Sequence, residues 1–348
     1  MSDQEYRLTS YSHGSGCGCK IAPAVLDEIL KCDTAAPLFD KLVVGNEGRD
    51  DAAVLDIGNG QGLISTTDFF MPVVDDAYDF GRIAATNAIS DVYAMGGKPV
   101  MALAILGWPI DKLPASLAHA TLEGGRAICS QAGIPLAGGH TIDSPEPIFG
   151  LSVNGMVDLN HLKKNNTVKE GDLLFLTKPI GLGIMSAAMK RSKAATTDVD
   201  EMVQWMTTLN TFGAIAAKHA YVHAMTDVTG FGLFGHLLEM VEGTGFSAEI
   251  TMEKVPLLTN LQSYIDQFIF PDMTTRNFNS YGQKITELSA KNLFTGCDPQ
   301  TSGGLLIAVD PAYEKDFIRL AAEYGLSAIV REPVGRIIAR DDKVLVVK

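Results

Sequence analysis

Apolar and polar positions along this chain switch repeatedly between an extended and a helical period, the order that builds sheets covered by helices. Residues 52–70, "AAVLDIGNGQGLISTTDFF", read as two short strands around a glycine-rich turn, which predicts a hairpin. From Asp79 to Met95, "DFGRIAATNAISDVYAM" has apolar residues at helical spacing and stops at Gly96 and Gly97; an apolar strand from Pro99 to Leu106 follows. A second helix around Leu113 to Ala132, the strand "IPLAGGH" and the alternating stretch "IFGLSVNGMV" close this half. Residues 158–171, polar and turn-rich, form the expected linker.

The second half opens on the strand "LLFLTKP". Helices are expected near Gly183 to Lys190, Val199 to Lys218, Phe231 to Glu242 and Ala312 to Tyr324, alternating with strands such as "GGLLIAV" and "LSAIVREPVGRI". Alternation in both halves predicts two α/β domains, each a sheet with helices packed on it.

Composition changes this picture little. The 348 residues are 46% hydrophobic and 20% charged, an ordinary globular balance at a length that suits two domains. Charge changes it more. A formal −13 excludes a bare electrostatic grip on nucleic acid or an acidic membrane, so an anionic ligand needs local cations or a bound metal. The five cysteines include no C-x-x-C pair, the start lacks a basic and apolar leader, and the longest apolar run is too short to span a bilayer. A reducing, cytoplasmic setting is the expectation.

Candidate chemistry is concentrated in dispersed acids: Asp50 and Asp51 in "GRDDAAV", Asp68 in "TTDFF", Asp91 in "NAISDV" and Asp227 in "TDVTGFG". Asn87 and Asp91, four apart in a helix, lie on one face and can offer ligating oxygens together. Asp50 and Asp51, in extended chain, point to opposite sides, so one of them serves a different partner. Oxygen donors in this number favour magnesium, which shares its coordination with water and substrate phosphates. Lys20, Arg49 and the amides of "AGGHT" (Gly138, Gly139) supply positive character for phosphate. His219 and His223 have H-x-x-x-H spacing, but Ala220 stands where a zinc protease places glutamate.

The segment "YSHGSGCGCKIAP", residues 11–23, sets Cys17 and Cys19 among glycines and ends on Lys20. It reads as a mobile arm carrying a soft-metal ligand, a redox pair or a nucleophilic thiol. A thiol beside Lys20 should have a lowered pKa.

Together, "YSHGSGCGCK", "GRDDAAV", "STTDFF", "NAISDVYAMGG", "AGGHT", "TDVTGFGL" and "DPQTSGGLL" resemble the selenophosphate synthetase family, within the aminoimidazole ribonucleotide synthetase-like superfamily. The likeness runs through nearly the whole chain. It implies a mixed α/β, two-domain fold: an arm and lead-in over residues 1–47, an ATP-binding and dimerising domain over 48–157, the linker, and a C-terminal α/β domain over 172–348. It also implies a homodimer with ATP near the interface, selenide as co-substrate, a selenium-delivery protein as a further partner, and release of selenophosphate, AMP and orthophosphate. By the same resemblance Cys17 and Lys20 are catalytic; Asp51, Asp91 and Asp227 hold Mg2+; and Lys20, Gly48, Arg49, Asp50, Asp68, Asp91, Gly139, His140 and Thr141 bind the nucleotide. A sister ATP-using enzyme would share the acids without the arm's cysteine and lysine, and a non-enzymatic thiol or metal module would leave the acids idle.

Overall fold

The computed structural model describes residues 6–21, 23–30, 39–45 and 50–348. In the first half, helix α1 (Pro23–Leu30) precedes strands β1 (Leu42–Val44), β2 (Ala53–Gly58) and β3 (Gln61–Phe70); then come α2 (Ala77–Ala94), β4 (Lys98–Trp108), α3 (Ala115–Gln131), β5 (Leu136–Asp143) and β6 (Ile148–Asp158). The six strands form one sheet in the order β1-β2-β3-β6-β4-β5, antiparallel except for the β4–β5 edge. The hairpin turns through Asn59 and Gly60, both with positive φ.

One face of this sheet is covered. Phe149, Leu151 and Val153 of β6 point inward to α2, and α3 packs behind. The two helices cross through glycines: a methyl at Gly81 would lie 1.8 Å from the Thr121 carbonyl oxygen, and one at Gly124 would lie 2.0 Å from that of Tyr78. Gly81→Ala gains roughly 1 kcal/mol in helix propensity, whereas forcing backbones apart costs about 1–3 kcal/mol or more. The clash is with backbone, which cannot step aside, so a lowered urea midpoint is expected. An unchanged or raised midpoint would show that the crossing tolerates a methyl.

The second half contains β7 (Leu173–Leu176), α4 (Leu182–Lys190), α5 (Thr196–Met206), α6 (Gly213–Ala216), β8 (Val222–Asp227), α7 (Gly232–Val241), β9 (Phe246–Ile250), α8 (Leu261–Ile265), α9 (Asp272–Tyr281), α10 (Ala290–Gly296), β10 (Leu305–Val309), α11 (Glu314–Glu323), β11 (Gly335–Ala339) and β12 (Leu345–Val347). Its sheet runs β12-β9-β11-β7-β10-β8. β10 is buried on both faces: Leu306 and Ala308 join the core with Leu237 and Leu238 of α7, while Leu305 and Ile307 join Phe317 of α11. That burial explains why "LLIAV" is apolar without alternation.

Two expectations fail here. The single helix from Val199 to Lys218 is instead α5 and α6, separated by a stretch in which Asn210 donates to Ser90 Oγ (2.8 Å) and to the Gly303 carbonyl (2.9 Å). Those side-chain bonds hold the chain out of helical register. In "LSAIVREPVGRI" only the part from Gly335 onward is strand; Leu326 to Val334 forms turns, with Pro333 ahead of the strand.

α2 joins the halves. It touches β3 and β6 on one side and β8, α5 and α6 on the other, so it is buried around most of its circumference, polar residues included.

Candidate functional site

Four elements deliver acids to the seam between the sheets. Asp51 sits just ahead of β2, Asp68 near the end of β3, Asp91 on α2 and Asp227 at the last position of β8. On α2, Asn87, Ser90 and Asp91 occupy spacings i, i+3 and i+4, one stripe facing that seam. Three of these acids, Asp51, Asp91 and Asp227, are each held by a neighbouring hydroxyl. Thr226 donates to Asp51 Oδ1 at 2.8 Å, Thr66 to Asp91 Oδ2 at 2.5 Å, and Ser90 bonds Asp227.

Burial raises all three carboxyls above the usual range, and their charges add to this: Asp227 acts on Asp51, and Asp68, Asp227 and Asp51 act on Asp91. The second oxygens of Asp51 and Asp227 are buried without a hydrogen-bond partner. Buried anionic oxygens in mutual repulsion need either protons or a cation. Among the described residues no three His, Cys, Asp or Glu side chains close around a metal by themselves. An all-oxygen donor set left open in this way suits Mg2+, which completes its shell with water and phosphate.

The arm lies over this cluster. Arg7 pairs with Asp75 at 2.9 Å, Gly16 N–H donates to the Met71 carbonyl, and Lys190 Nζ donates to the Ser12 carbonyl. Residues Gly16–Cys19 make one 3-10 turn. Gly16 has φ +50°, and a methyl there would lie 2.3 Å from Thr301 Oγ1, so this glycine is needed for close approach as well as for freedom of movement. Cys17 is fully buried; its N–H donates to Thr301 Oγ1 (2.9 Å) and its thiol to Asn87 Oδ1 (3.2 Å). The Cys19 thiol donates to the Gly16 carbonyl within the turn. Lys20 Nζ stands 3.9 Å from Asp68 Oδ1, and that carboxylate holds the Lys20 pKa above its ordinary value.

The expected lowering of a thiol pKa by Lys20 is overturned in this conformation. Burial outweighs the lysine's attraction, and both Cys17 and Cys19 are pushed up. The pairing of Asn87 with Asp91 as joint oxygen donors also fails. The Asn87 oxygen accepts from Cys17 and from Ser302 N–H (2.8 Å), while its Nδ2 donates to Asp68 (2.6 Å).

The remaining candidates spread out. Asp50 and Asp51 take different partners, Asp50 accepting the Asn165 N–H at 2.7 Å and Asp51 the Thr226 hydroxyl, although Asp51 stands in a bend rather than in extended chain. Gly48 and Arg49 lie outside the described residues. Gly139, His140 and Thr141 are on the exposed edge strand β5. Gly139 shares a ladder row with Ala104, Leu151 and Asp68, three strand spacings away, or about 14 Å. His140 shares the next row with Ile105, Gly150 and Phe69, on the uncovered face. One chain therefore does not bring this run to the acids. His219 stacks on Tyr221, while His223 pairs with Asp172 at 2.8 Å.

Sequence reasoning missed the partners that hold the site: Thr66, Ser90, Thr226, Thr301, Ser302 and Lys178. Lys178 is buried, donates to the Ser302 carbonyl at 2.9 Å, and is pulled down to about 7 by burial against the attraction of Asp227. A lysine closing the apolar strand "LLFLTK" was the available signal, because lysine is almost never buried without a task.

Each half of this two-sheet fold matches a domain model of one family. Residues 49–157 match the AIR synthase related protein, N-terminal domain, and residues 169–348 match the AIR synthase related protein, C-terminal domain. Among solved structures the fold is similar to thiamine-monophosphate kinase from Stenotrophomonas maltophilia K279a (TM-score 0.64, 19% identity, covering 89% of this chain and 92% of that one). It is also similar to that kinase from Aquifex aeolicus (TM-score 0.65, 16% identity, 93% and 95% covered). Full-length relatives are much nearer: selenide, water dikinase of Colwellia psychrerythraea is 57% identical over 333 residues, 96% of each chain. That of Sulfurimonas denitrificans is 54% identical over 342 residues, 98% of this chain and 99% of the relative. The chain belongs to the selenide, water dikinase family.

Proposed function

We propose that this chain makes selenophosphate from ATP, selenide and water, releasing AMP and orthophosphate. The observation that carries the reading is the arm's contact with the acid cluster: Lys20 at Asp68 and the Cys17 thiol at Asn87. Phosphoryl transfer asks mainly for positioning and neutralised charge. Asp51, Asp91 and Asp227 would hold Mg2+, which when bound neutralises the phosphates. Lys20 adds a second positive charge, Asp68 orients Lys20, and the arm covers the phosphates so that bulk water does not compete with selenide. Asp50, Asp68, Asp91, Gly139, His140 and Thr141, with Gly48 and Arg49, are the nucleotide contacts of this reading. Its domains are an arm and lead-in over residues 1–47, a nucleotide domain over 48–157, a linker over 158–171 and a C-terminal domain over 172–348.

Anaerobic incubation with ATP and selenide tests it. AMP and orthophosphate should form only with selenide present, with a selenium-bonded phosphorus signal in the NMR spectrum. Stoichiometric ADP with a phosphorylated product and no AMP would make the chain a sister kinase instead.

The working unit in this reading is a homodimer. Leu55, Ile57, Phe69 and Leu103 stand 37–53% exposed on the uncovered face of the first sheet, where His140 also lies. An apolar sheet face of this kind is what a second copy would cover, setting one subunit's β5 run near the other's nucleotide. A fully active, concentration-independent monomer in sedimentation would remove the dimer. The cysteines among the described residues are all free, which supports a reducing, cytoplasmic setting, and no described helix is long and apolar enough to cross a membrane.

A further inference from the structure

Asn87 touches the arm, the first sheet and the C-terminal loop together. Its amide has no freedom of assignment. Ser302 N–H can only donate, so the Asn87 atom 2.8 Å from it is the oxygen. The Asp68 carboxylate can only accept, so the atom 2.6 Å from it is the nitrogen. Ser302 is itself fixed, with φ +57° and its carbonyl bonded by Lys178. The Cys17 sulfur, 3.2 Å from that same oxygen, therefore meets an acceptor, and only a neutral S–H completes the contact.

We propose that Asn87 is a positioning residue that docks the arm by accepting the Cys17 thiol, and that it holds the arm down only while this sulfur carries its proton. A thiolate or a substituted sulfur would face the Asn87 oxygen with lone pair against lone pair. The docked arm is then a protected store for the thiol, and Cys17 must leave Asn87 to act as a nucleophile or carrier. Lys20, Asp68, Cys19 and Asp227 are the other titratable groups whose charge reaches this sulfur. This step rests on the proposed function only in making Cys17 the working thiol; the docking itself can be tested without ATP or selenide.

The test uses the full chain free of substrates. Iodoacetamide labelling of each cysteine is followed by peptide mass spectrometry in the wild type and in Asn87→Leu. Cys17 should label roughly five- to tenfold faster in the variant, as loss of one hydrogen bond allows, while buried Cys129 and Cys297 keep their wild-type rates. In parallel, amide hydrogen exchange over residues 14–20 compares Cys17→Ser, which keeps a hydroxyl donor, with Cys17→Ala, which does not. Exchange should rise in the alanine variant and stay near wild type in the serine variant. An unchanged Cys17 labelling rate in Asn87→Leu would overturn the proposal, as would equal exchange in the serine and alanine variants. Should Asn87→Leu loosen all three thiols alike or fail to fold, the serine and alanine comparison decides, since both changes lie on the arm.

Discussion

Asp227→Asn is expected to lower selenide-dependent AMP formation by at least ~100-fold, because a metal ligand contributes several kcal/mol of charge stabilisation to phosphoryl transfer. The same substitution should leave the metal-free protein equally or more stable. The sign follows from the direction of the pKa shifts. Asp51, Asp91 and Asp227 are all raised in the folded chain, so their contribution is fully favourable only below the ordinary carboxylate range and is lost as pH rises through the folded values. At neutral pH the cluster opposes folding, and removing one charge relieves it. Thermal melts with and without magnesium separate the effects: the wild type should gain stability from the ion, and Asp227→Asn and Asp51→Asn should gain much less. Asp56→Asn, on β2 beyond Asp51 and with its side chain accepting from the Gly58 N–H, should behave as wild type. If all three variants lost activity and stability together, the metal assignment would fall.

The arm should divide into two working residues and one bystander. Lys20→Gln removes the cation 3.9 Å from Asp68 and is expected to reduce turnover by at least ~100-fold, comparable to deleting one electrostatic contact to a transition state. Cys17→Ser should abolish selenide-dependent turnover while ATP binding stays largely intact. Cys19→Ser should retain substantial activity, since the Cys19 thiol is held by backbone groups, the Gly16 carbonyl of its own turn and Met71, whereas the Cys17 thiol reaches across to the Asn87 side chain on α2. AMP release under anaerobic conditions, with ATP binding measured separately, reads all three. An active Cys17→Ser enzyme beside a dead Cys19→Ser enzyme would make Cys19 the working thiol.

Much of the first half was legible because its periods are clean. The hairpin of β2 and β3, α2 and β6 each follow one pattern over ten or so residues. β8 was missed: "VHAMTD" mixes a histidine and a methionine into six residues, too short to display a period, yet it carries Asp227. Spacing alone merges α5 and α6, because what separates them is the long-range bonding of Asn210 to Ser90 and Gly303, which local spacing does not contain. The acids could be picked out by type, but their hydroxyl partners could not. Thr66 and Thr226 look like ordinary strand residues until the fold sets them against Asp91 and Asp51. The thiol pKa escapes the sequence for a related reason: Lys20 is visible beside the cysteines, whereas the burial that outweighs it arises only when the arm folds to where Asn87 and Thr301, far along the chain, bond Cys17.

The arm is also a staple between the two halves. Arg7 bonds Asp75 of the first half and Ser192 of the second; Cys17 bonds Asn87 of the first and Thr301 of the second. Each bridge fixes a distance across the seam, and two of them at separate points also resist a change of angle. A docked arm therefore stiffens the whole molecule against hinge bending at α2, and its departure would uncover the acids and unlock the angle between the sheets in one event.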